Sequence, residues 1–190
     1  MKSNNTYFLL RHGRAILNKK RIVSSWPEKF KNHLTKEGKK QIEEILPRLR
    51  RERIDFIFSS DLLRTRQTAE MVAEKLGLKI SFDKRLREIG MGIFNGKSEK
   101  DWNDFFGTNE KRFIKRPPQG GENYRDIKKR VRDFFKDINS KHKDKNILIV
   151  GHGCILFNLQ AVIKNFTEKE EKKYRNDLIM KTGELRKVKI

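Results

Sequence analysis

Histidine and arginine side chains recur at the points where predicted strands end. Arg11 and His12 directly follow one apolar run. Arg64 lies just inside the helix predicted after a second run, and His152 directly follows a third. In open α/β sheets, ligands bind beyond the carboxyl ends of the strands. Each side chain alone is commonly a surface or structural group, but their shared position predicts one common site.

Such converging cations repel one another unless an anion with more than one negative charge binds between them. A phosphate group meets this requirement, because guanidinium groups bind its oxygens in bidentate fashion. The helix predicted after His152 begins near Gly153 and adds backbone N–H donors and the positive end of a helix dipole. The residues therefore predict a phosphate-binding site.

His12 is the candidate nucleophile of this site. A neutral imidazole nitrogen attacks phosphorus, and covalent transfer divides one difficult displacement into two easier ones. Gly13 is expected to let a substrate approach the backbone closely. His152 is expected to donate a hydrogen bond to the phosphoryl oxygens. The pattern thus predicts transfer of a phosphoryl group onto His12.

Predicted strands alternate with predicted helices along the chain. Apolar runs indicate strands at residues 7–10, 54–58, 79–82, 146–150, 178–180 and 185–190. This alternation predicts an α/β domain of three layers, α/β/α, with a mostly parallel central sheet of about six strands that includes an antiparallel strand. A length of 190 residues fits a single domain over 1–190.

Helices are indicated by apolar residues at helical spacing. One helix is predicted after Thr35, its N-cap, and Pro47 is expected to kink or shorten it. A second is closed by Gly77 at its C-terminus. The remaining helices are predicted at residues 101–106, 124–138 and 155–163.

The charge of the chain is strongly positive. Lys and Arg total 46 against 25 Asp and Glu, a formal net charge of +21 at pH 7. Such a field attracts anions of any kind, so a nucleic-acid-binding protein is an alternative. It is not favoured, because the lysines are spread along the chain and no recognition element interleaves aromatic and basic residues.

Cysteine and histidine usage restrict the chemistry further. The single cysteine, Cys154, excludes an internal disulfide and fits a reducing compartment. A cysteine-dependent phosphatase is disfavoured, because no arginine follows in the next six residues. The four histidines show no metal-ligand spacing, so neither a metal nor another cofactor is expected.

No apolar run near the N-terminus is long enough for a signal peptide or a membrane span. We therefore expect a soluble cytoplasmic protein.

Four motifs occur together and in order between residues 7 and 163. They are Leu9-Leu10-Arg11-His12-Gly13 with Asn18, Ser59-Ser60-Asp61-Leu62-Leu63-Arg64 with Gln67-Thr68-Ala69, Leu86-Arg87-Glu88, and Gly151-His152-Gly153. Together they resemble the histidine phosphatase superfamily, also called the phosphoglycerate mutase-like family.

The resemblance implies a role for each matching residue. His12 would become phosphorylated, and Glu88 would protonate the leaving oxygen and later deprotonate the attacking water. The residues expected to bind the phosphate or the substrate are Arg11, Asn18, Ser24, Ser25, Arg64, His152 and Gly153.

The resemblance also implies two related reactions. We expect a phosphomonoester hydrolase that acts on a small phosphorylated metabolite. The alternative is a mutase that returns the phosphoryl group to another substrate hydroxyl. Dedicated mutases of the family carry insertions that enclose the substrate, and this compact chain favours hydrolysis. Nothing in the sequence indicates the natural substrate or the oligomeric state.

Overall fold

The computed structural model describes residues 4–189 and contains one five-stranded sheet in that range. Its strands are β1 (Thr6–Arg11), β2 (Phe56–Ser59), β3 (Ile80–Phe82), β4 (Asn146–Gly151) and β5 (Leu185–Lys189). Their order is β3-β2-β4-β1-β5. The pairs β1/β4, β2/β4 and β2/β3 are parallel, and β5 runs antiparallel to β1.

The helices lie on both faces of this sheet. They are α1 (Ile16–Lys19), α2 (Lys36–Arg51), α3 (Leu63–Leu76), α4 (Glu99–Phe106), α5 (Tyr124–Lys141), α6 (Gly153–Ile163), α7 (Glu168–Lys173) and α8 (Arg175–Leu178). Short 3₁₀ turns occur at Lys84–Leu86, Gly92–Phe94 and Glu110–Phe113. Within residues 4–189, none of the helices has the length and apolar character needed to cross a membrane.

Alternation along β1 divides the core into two halves. Tyr7 and Leu9 pack with apolar residues of α5 and α6, whereas Phe8 and Leu10 pack with those of α2 and α3. All four side chains are fully buried, as expected for a central strand covered by helices on both sides. This arrangement confirms the predicted three-layer α/β/α fold with a mostly parallel sheet and one antiparallel strand.

The strand predicted at 178–180 is absent, so the sheet has five strands in the described range rather than six. Leu178 ends α8, and the carbonyl oxygens of this segment accept hydrogen bonds from side chains. Gln160 Nε2 donates to Leu178 O at 2.8 Å, and Arg11 Nη1 donates to Met180 O at 2.6 Å. These backbone carbonyl groups therefore bond to side chains and not to a neighbouring strand. The segment is apolar because it is partly buried, and not because it belongs to the sheet. The last residue of the other predicted strand, Ile190, lies outside the described range.

The cap predictions are confirmed, and Pro47 does not shorten its helix, which was one of the two effects expected of it. Thr35 Oγ1 accepts the N–H of Gly38 at 3.0 Å, and Gly77 ends α3 with a φ of 68°. α2 continues past Pro47 to Arg51. Its buried residues, which include Leu49 beyond the proline, pack in the core and keep the last turn helical.

Two glycines bring the loop after β1 into direct contact with α2. A Cβ atom on Gly13 would lie 2.3 Å from Gly38 O, and one on Gly38 would lie 2.1 Å from Arg14 O. Thr35 strengthens this contact, since its N–H and its hydroxyl both donate to Arg14 O. Gly13 is therefore required for packing against α2, a role that was not expected from the sequence.

Gly38→Ala tests this contact. Alanine normally stabilises a helix by about 1 kcal/mol relative to glycine. Here we expect the free energy of unfolding to fall by about 1–3 kcal/mol, because the added methyl group collides with backbone and not with a flexible side chain. Urea denaturation measures the change. Lys39→Ala, at an exposed site in the same turn, is the control and should change stability by less than about 0.5 kcal/mol. A stabilised Gly38→Ala protein would contradict the close packing.

Candidate active site

The parallel strands β1, β2 and β4 are neighbours, so their carboxyl ends meet at one edge of the sheet. Arg11 ends β1 and His12 follows it, while His152 follows β4. Arg64 lies in the first turn of α3, the helix that follows β2. The ring centroids of His12 and His152 are 5.2 Å apart, and Arg64 Nε lies 3.2 Å from His12 Nε2. The four side chains thus form one cluster.

The hydrogen bonds of His12 determine which ring nitrogen carries the proton. Its Nδ1 lies 2.8 Å from Gly13 O, and a carbonyl oxygen only accepts, so Nδ1 is the protonated nitrogen. Nε2 then holds the lone pair, which agrees with its acceptance of the Nε–H of Arg64. The nitrogen that faces the cluster is therefore the nucleophilic one.

Burial keeps both imidazoles of the cluster neutral. The pKa of His12 lies well below its ordinary value because the ring is desolvated, and the positive charges of Arg64 and Arg11 lower it further. The hydrogen bond to the carbonyl oxygen of Gly13 opposes this shift only in part. The pKa of His152 is lowered in the same way, first by burial and then by Arg64, His12 and Arg11. Near pH 7 neither ring carries a proton on both nitrogens.

Arg64 is a buried cation held from several sides. Only 2% of its surface is exposed, and its Nη2 donates to Ser24 O at 3.0 Å. The nearest ion-pair contact is Glu28 Oε1, 3.9 Å from Nη1. Burial lowers the pKa of Arg64 to about 10, so the side chain remains charged at neutral pH. A charged guanidinium is thus fixed beside the nucleophilic nitrogen of His12.

Arg11 lies across the first residue of α6. A Cβ atom on Gly153 would be 3.3 Å from the Cζ atom of Arg11, so glycine makes room for the guanidinium. The chain after α8 closes over the other side, where Met180 O accepts from Arg11 and the N–H of Gly183 contacts the carbonyl oxygens of Arg11 and His12. The absence of a side chain at Gly153 therefore leaves space for the guanidinium group of Arg11.

Three buried N–H or ring nitrogen atoms of the cluster have no hydrogen-bond partner among the described residues. They are Arg11 Nε, Arg64 Nη1 and His152 Nδ1. The other ring nitrogen of His152, Nε2, lies 2.9 Å from Ser60 Oγ. Buried polar groups are normally paired, and this donor set is the kind that binds an oxyanion. Such a cluster can hold an oxyanion between its cations.

A cavity of about 280 Å³ opens onto the cluster. Of the residues expected from the sequence, it is lined by Arg11, His12, Asn18, Ser24, Arg64 and Glu88. Asn18 Oδ1 accepts the N–H of Ala15 at 3.0 Å, so the side-chain NH₂ is the group that can donate to a ligand. The predicted residues Ser25, His152 and Gly153 do not line this cavity, and the fully buried His152 instead packs behind it against His12.

Ser25 instead positions Glu88. It is fully buried, and its hydroxyl donates to Glu88 O at 3.1 Å. Trp26 Nε1 donates to the same oxygen at 3.1 Å. The side chain of Glu88 is 7% exposed, and its Oε1 accepts the N–H of Ile89 at 2.9 Å. The backbone and carboxylate of Glu88 are therefore both held in place at the cavity.

Sequence reasoning missed half of the cavity wall. The lining residues it did not identify are Arg21, Ile22, Val23, Met91, Glu99 and Thr182. Arg21 adopts a φ of 55° and its Nε lies 3.2 Å from Glu99 Oε2, at the cavity mouth. Thr182 comes from the segment after α8. No motif marks these residues, because loops distant in sequence bring them together.

Fold and site together define a class of protein. It is a three-layer α/β protein whose strand ends combine a neutral, nucleophilic histidine with buried arginines and a carboxylate in one cavity. The sequence model of the histidine phosphatase superfamily (branch 1) matches residues 7–189. The chain therefore belongs to the histidine phosphatase superfamily, as the four motifs predicted.

Curated relatives carry names of both mutase and phosphatase type. The chain is 30% identical over 177 residues to the probable phosphoglycerate mutase GpmB of Erwinia tasmaniensis, which covers 88% of this chain and 79% of the relative. It is also 30% identical over 123 residues to phosphoserine phosphatase 1 of Hydrogenobacter thermophilus, covering 63% of this chain and 58% of that protein.

Solved structures share the fold. A mycobacterial glucosyl-3-phosphoglycerate phosphatase in complex with VO3 superposes with a TM-score of 0.81 at 21% identity, covering 96% of this chain and 90% of that one. YhfR of Bacillus stearothermophilus has a TM-score of 0.81 at 25% identity, covering 98% of this chain and 91% of its own.

The lowered histidine pKa values predict how stability depends on pH. Below about pH 6.5 the unfolded chain takes up protons at His12 and His152, whereas the folded protein keeps both neutral. The free energy of unfolding should therefore fall as the pH drops from about 6.5, by up to about 1.4 kcal/mol per pH unit for each histidine.

Urea denaturation at several pH values measures this slope. His12→Gln should remove one histidine's share of the slope between about pH 6.5 and 5, whatever its effect on the absolute stability. The matched control is His142→Gln, at the C-terminus of α5 and outside the cavity at His12. This variant should leave the contribution of His12 to the slope in place. An unchanged slope in His12→Gln would show that His12 is not held neutral.

Proposed function

We propose that this protein is a metal-independent phosphomonoester hydrolase that acts on a small phosphorylated metabolite through a phosphohistidine at His12. One observation carries the proposal: His12 is neutral, and its Nε2 lies beside the guanidinium of Arg64 in a cavity that also contains Glu88. The phosphatase names among the relatives support the reaction type.

In the first step, the phosphate of the substrate binds between the guanidinium groups of Arg11 and Arg64 and the ring of His152. The Nε2 lone pair of His12 attacks phosphorus, and the bond from phosphorus to the ester oxygen breaks. Glu88 gives its proton to the departing oxygen, so that an alcohol leaves. The Nδ1–H of His12 keeps its hydrogen bond to Gly13 O, and this bond stabilises the positive charge that develops on the ring.

In the second step, water attacks the phosphohistidine. Glu88, now ionised, accepts a proton from the water as the new bond to phosphorus forms. The bond between phosphorus and Nε2 breaks, and its electron pair returns to His12. Inorganic phosphate leaves, and both His12 and Glu88 regain their original protonation states.

The chain's own cations neutralise the phosphoryl charge in this scheme. Arg11 and Arg64 supply fixed positive charge, and the imidazole of His152 and the side-chain amide of Asn18 supply neutral donors. These groups lie in a largely buried site, where electrostatic stabilisation of a developing charge is stronger than in water. The scheme therefore assigns no step to a metal ion.

His12→Ala tests the covalent step. An aryl phosphate assay in EDTA should show loss of at least 10³-fold in kcat, because the nucleophile is gone. A brief reaction with ³²P-labelled substrate, quenched in base, should label the wild-type protein and not the variant. His142→Ala removes a histidine far from the cavity and should keep both the activity and the label. Equal activity of wild type and His12→Ala would refute the proposal, and activity lost in EDTA alone would refute its metal independence.

Phosphorus NMR with 3-phosphoglycerate distinguishes the hydrolase from the mutase alternative, which the GpmB-type relatives keep open. Hydrolysis releases inorganic phosphate, because water accepts the phosphoryl group. A mutase converts the substrate into its 2-phospho isomer without free phosphate. We expect free phosphate from 3-phosphoglycerate or from other members of a phosphorylated metabolite panel. Formation of the 2-phospho isomer alone would overturn the hydrolase assignment.

A further inference from the structure

A second cavity, of about 510 Å³, lies away from the cluster around His12. It is lined by Asn103, Gly107, Thr108, Asn109, Glu110, Arg112 and Arg175. None of these residues lines the cavity at His12. The wall comes from the end of α4, the 3₁₀ turn after it and the beginning of α8. Its two arginines are more than 60 residues apart in sequence and meet only in the fold.

Arg112 is a buried cation in this wall. Only 8% of its surface is exposed, and its Nη2 donates to Asn103 Oδ1 at 2.6 Å. Its guanidinium carbon lies 4.7 Å from the ring centroid of Phe106. Its Nε is buried and has no hydrogen-bond partner among the described residues. Contact with an aromatic face offsets part of the cost of burying the charge, but it leaves this N–H unpaired.

Arg175 adds a second unpaired donor. Its Nη1 is also buried without a hydrogen-bond partner within residues 4–189. The carboxylate that lines the cavity, Glu110, is exposed, and its pKa is lowered by its own backbone N–H, by the hydroxyl of Thr108 and by the nearby charges of Lys172 and Arg175. Two guanidinium groups therefore line one cavity, and each has one buried N–H without a hydrogen-bond partner among the described residues.

We propose that this cavity is a second phosphate-binding site, separate from the site at His12. Two guanidinium groups match the double negative charge of a phosphate group better than the single charge of a carboxylate. The side chains of Asn103, Thr108 and Asn109 provide further polar groups on the wall. The volume admits either free phosphate or the phosphate group of a small metabolite.

The two tryptophans of the chain allow each site to be observed separately. Trp102 is buried, and its ring centroid lies 5.8 Å from the guanidinium carbon of Arg112. Trp26 lies at the other site, where it donates to Glu88 O. In a Trp26→Phe protein, Trp102 is the only tryptophan, and its fluorescence reports on the second cavity.

The experiment titrates the Trp26→Phe protein with inorganic phosphate at constant ionic strength. We expect a saturable change in Trp102 fluorescence. Adding Arg175→Gln should raise the midpoint at least tenfold, because a charge-assisted hydrogen bond is lost. Arg112→Met, which keeps the packing on Phe106, should do the same. No saturable change in the Trp26→Phe protein would overturn the proposal.

Two control variants separate this site from general charge effects and from the site at His12. Arg125→Gln removes the same charge from an exposed ion pair with Glu168 and should leave the midpoint unchanged. Arg64→Gln should also leave it unchanged, and loss of the Trp102 signal in that variant would overturn the separation of the two sites. Circular dichroism checks folding. If Arg112→Met does not fold, Arg175→Gln decides the result, and an unchanged midpoint there refutes the proposal.

Further ligands identify the chemistry. Ethylphosphonate carries the dianionic group on a carbon chain and cannot be hydrolysed at an ester bond. Tighter binding of ethylphosphonate than of phosphate would indicate a phosphorylated metabolite, and the reverse order would indicate free phosphate. Acetate should bind at least tenfold more weakly than phosphate. Equal binding of acetate would refute a site selective for phosphate groups.

Discussion

The contact between Arg64 and His12 is the interaction on which the active site depends. A charged guanidinium and an imidazole are buried side by side, which is stable only if the imidazole stays neutral. In the proposed mechanism, this neutral Nε2 of His12 is the nucleophile, and the same guanidinium binds the phosphate group that it attacks. Glu28 Oε1 lies 3.9 Å from Arg64 Nη1, which has no hydrogen-bond partner among the described residues, so a bound oxyanion would supply the missing partner. Affinity and reactivity therefore have one physical origin.

The loop from Ser24 to Glu28 contacts both Arg64 and Glu88, to which the proposed mechanism assigns phosphate binding and proton transfer. Its backbone oxygen at Ser24 accepts from Arg64, and Glu28 lies near the same guanidinium while accepting the N–H of Leu63. Ser25 and Trp26 both donate to Glu88 O. Because one loop contacts both sides of the cavity, the distance between His12 and Glu88 is set by short segments and not by the sheet alone.

The basic side chains of this protein occupy two different environments, the exposed surface and the walls of two cavities. Most of the lysines and arginines lie at the surface, where several form exposed ion pairs such as those of Arg21 and Lys100. Such pairs contribute little to stability. Two arginines are buried, Arg64 at the cavity of His12 and Arg112 at the second cavity, and each has one N–H without a hydrogen-bond partner among the described residues. We therefore expect specific anion binding at these buried cations, and not across the charged surface.

The sequence by itself determined the layer architecture and the reactive center. Buried strands read as apolar runs, and the polar residues directly after them, His12 and His152, must meet at one edge because parallel neighbours end together. The apolar triplet at 178–180 was misread as a strand, since apolarity reports burial and does not reveal whether a carbonyl pairs with a strand or with a side chain. Only the tertiary structure decided that Arg21 and Thr182 complete the cavity wall and that Gly13 packs against α2. Those contacts join segments far apart in the chain, and no periodicity or local spacing encodes them.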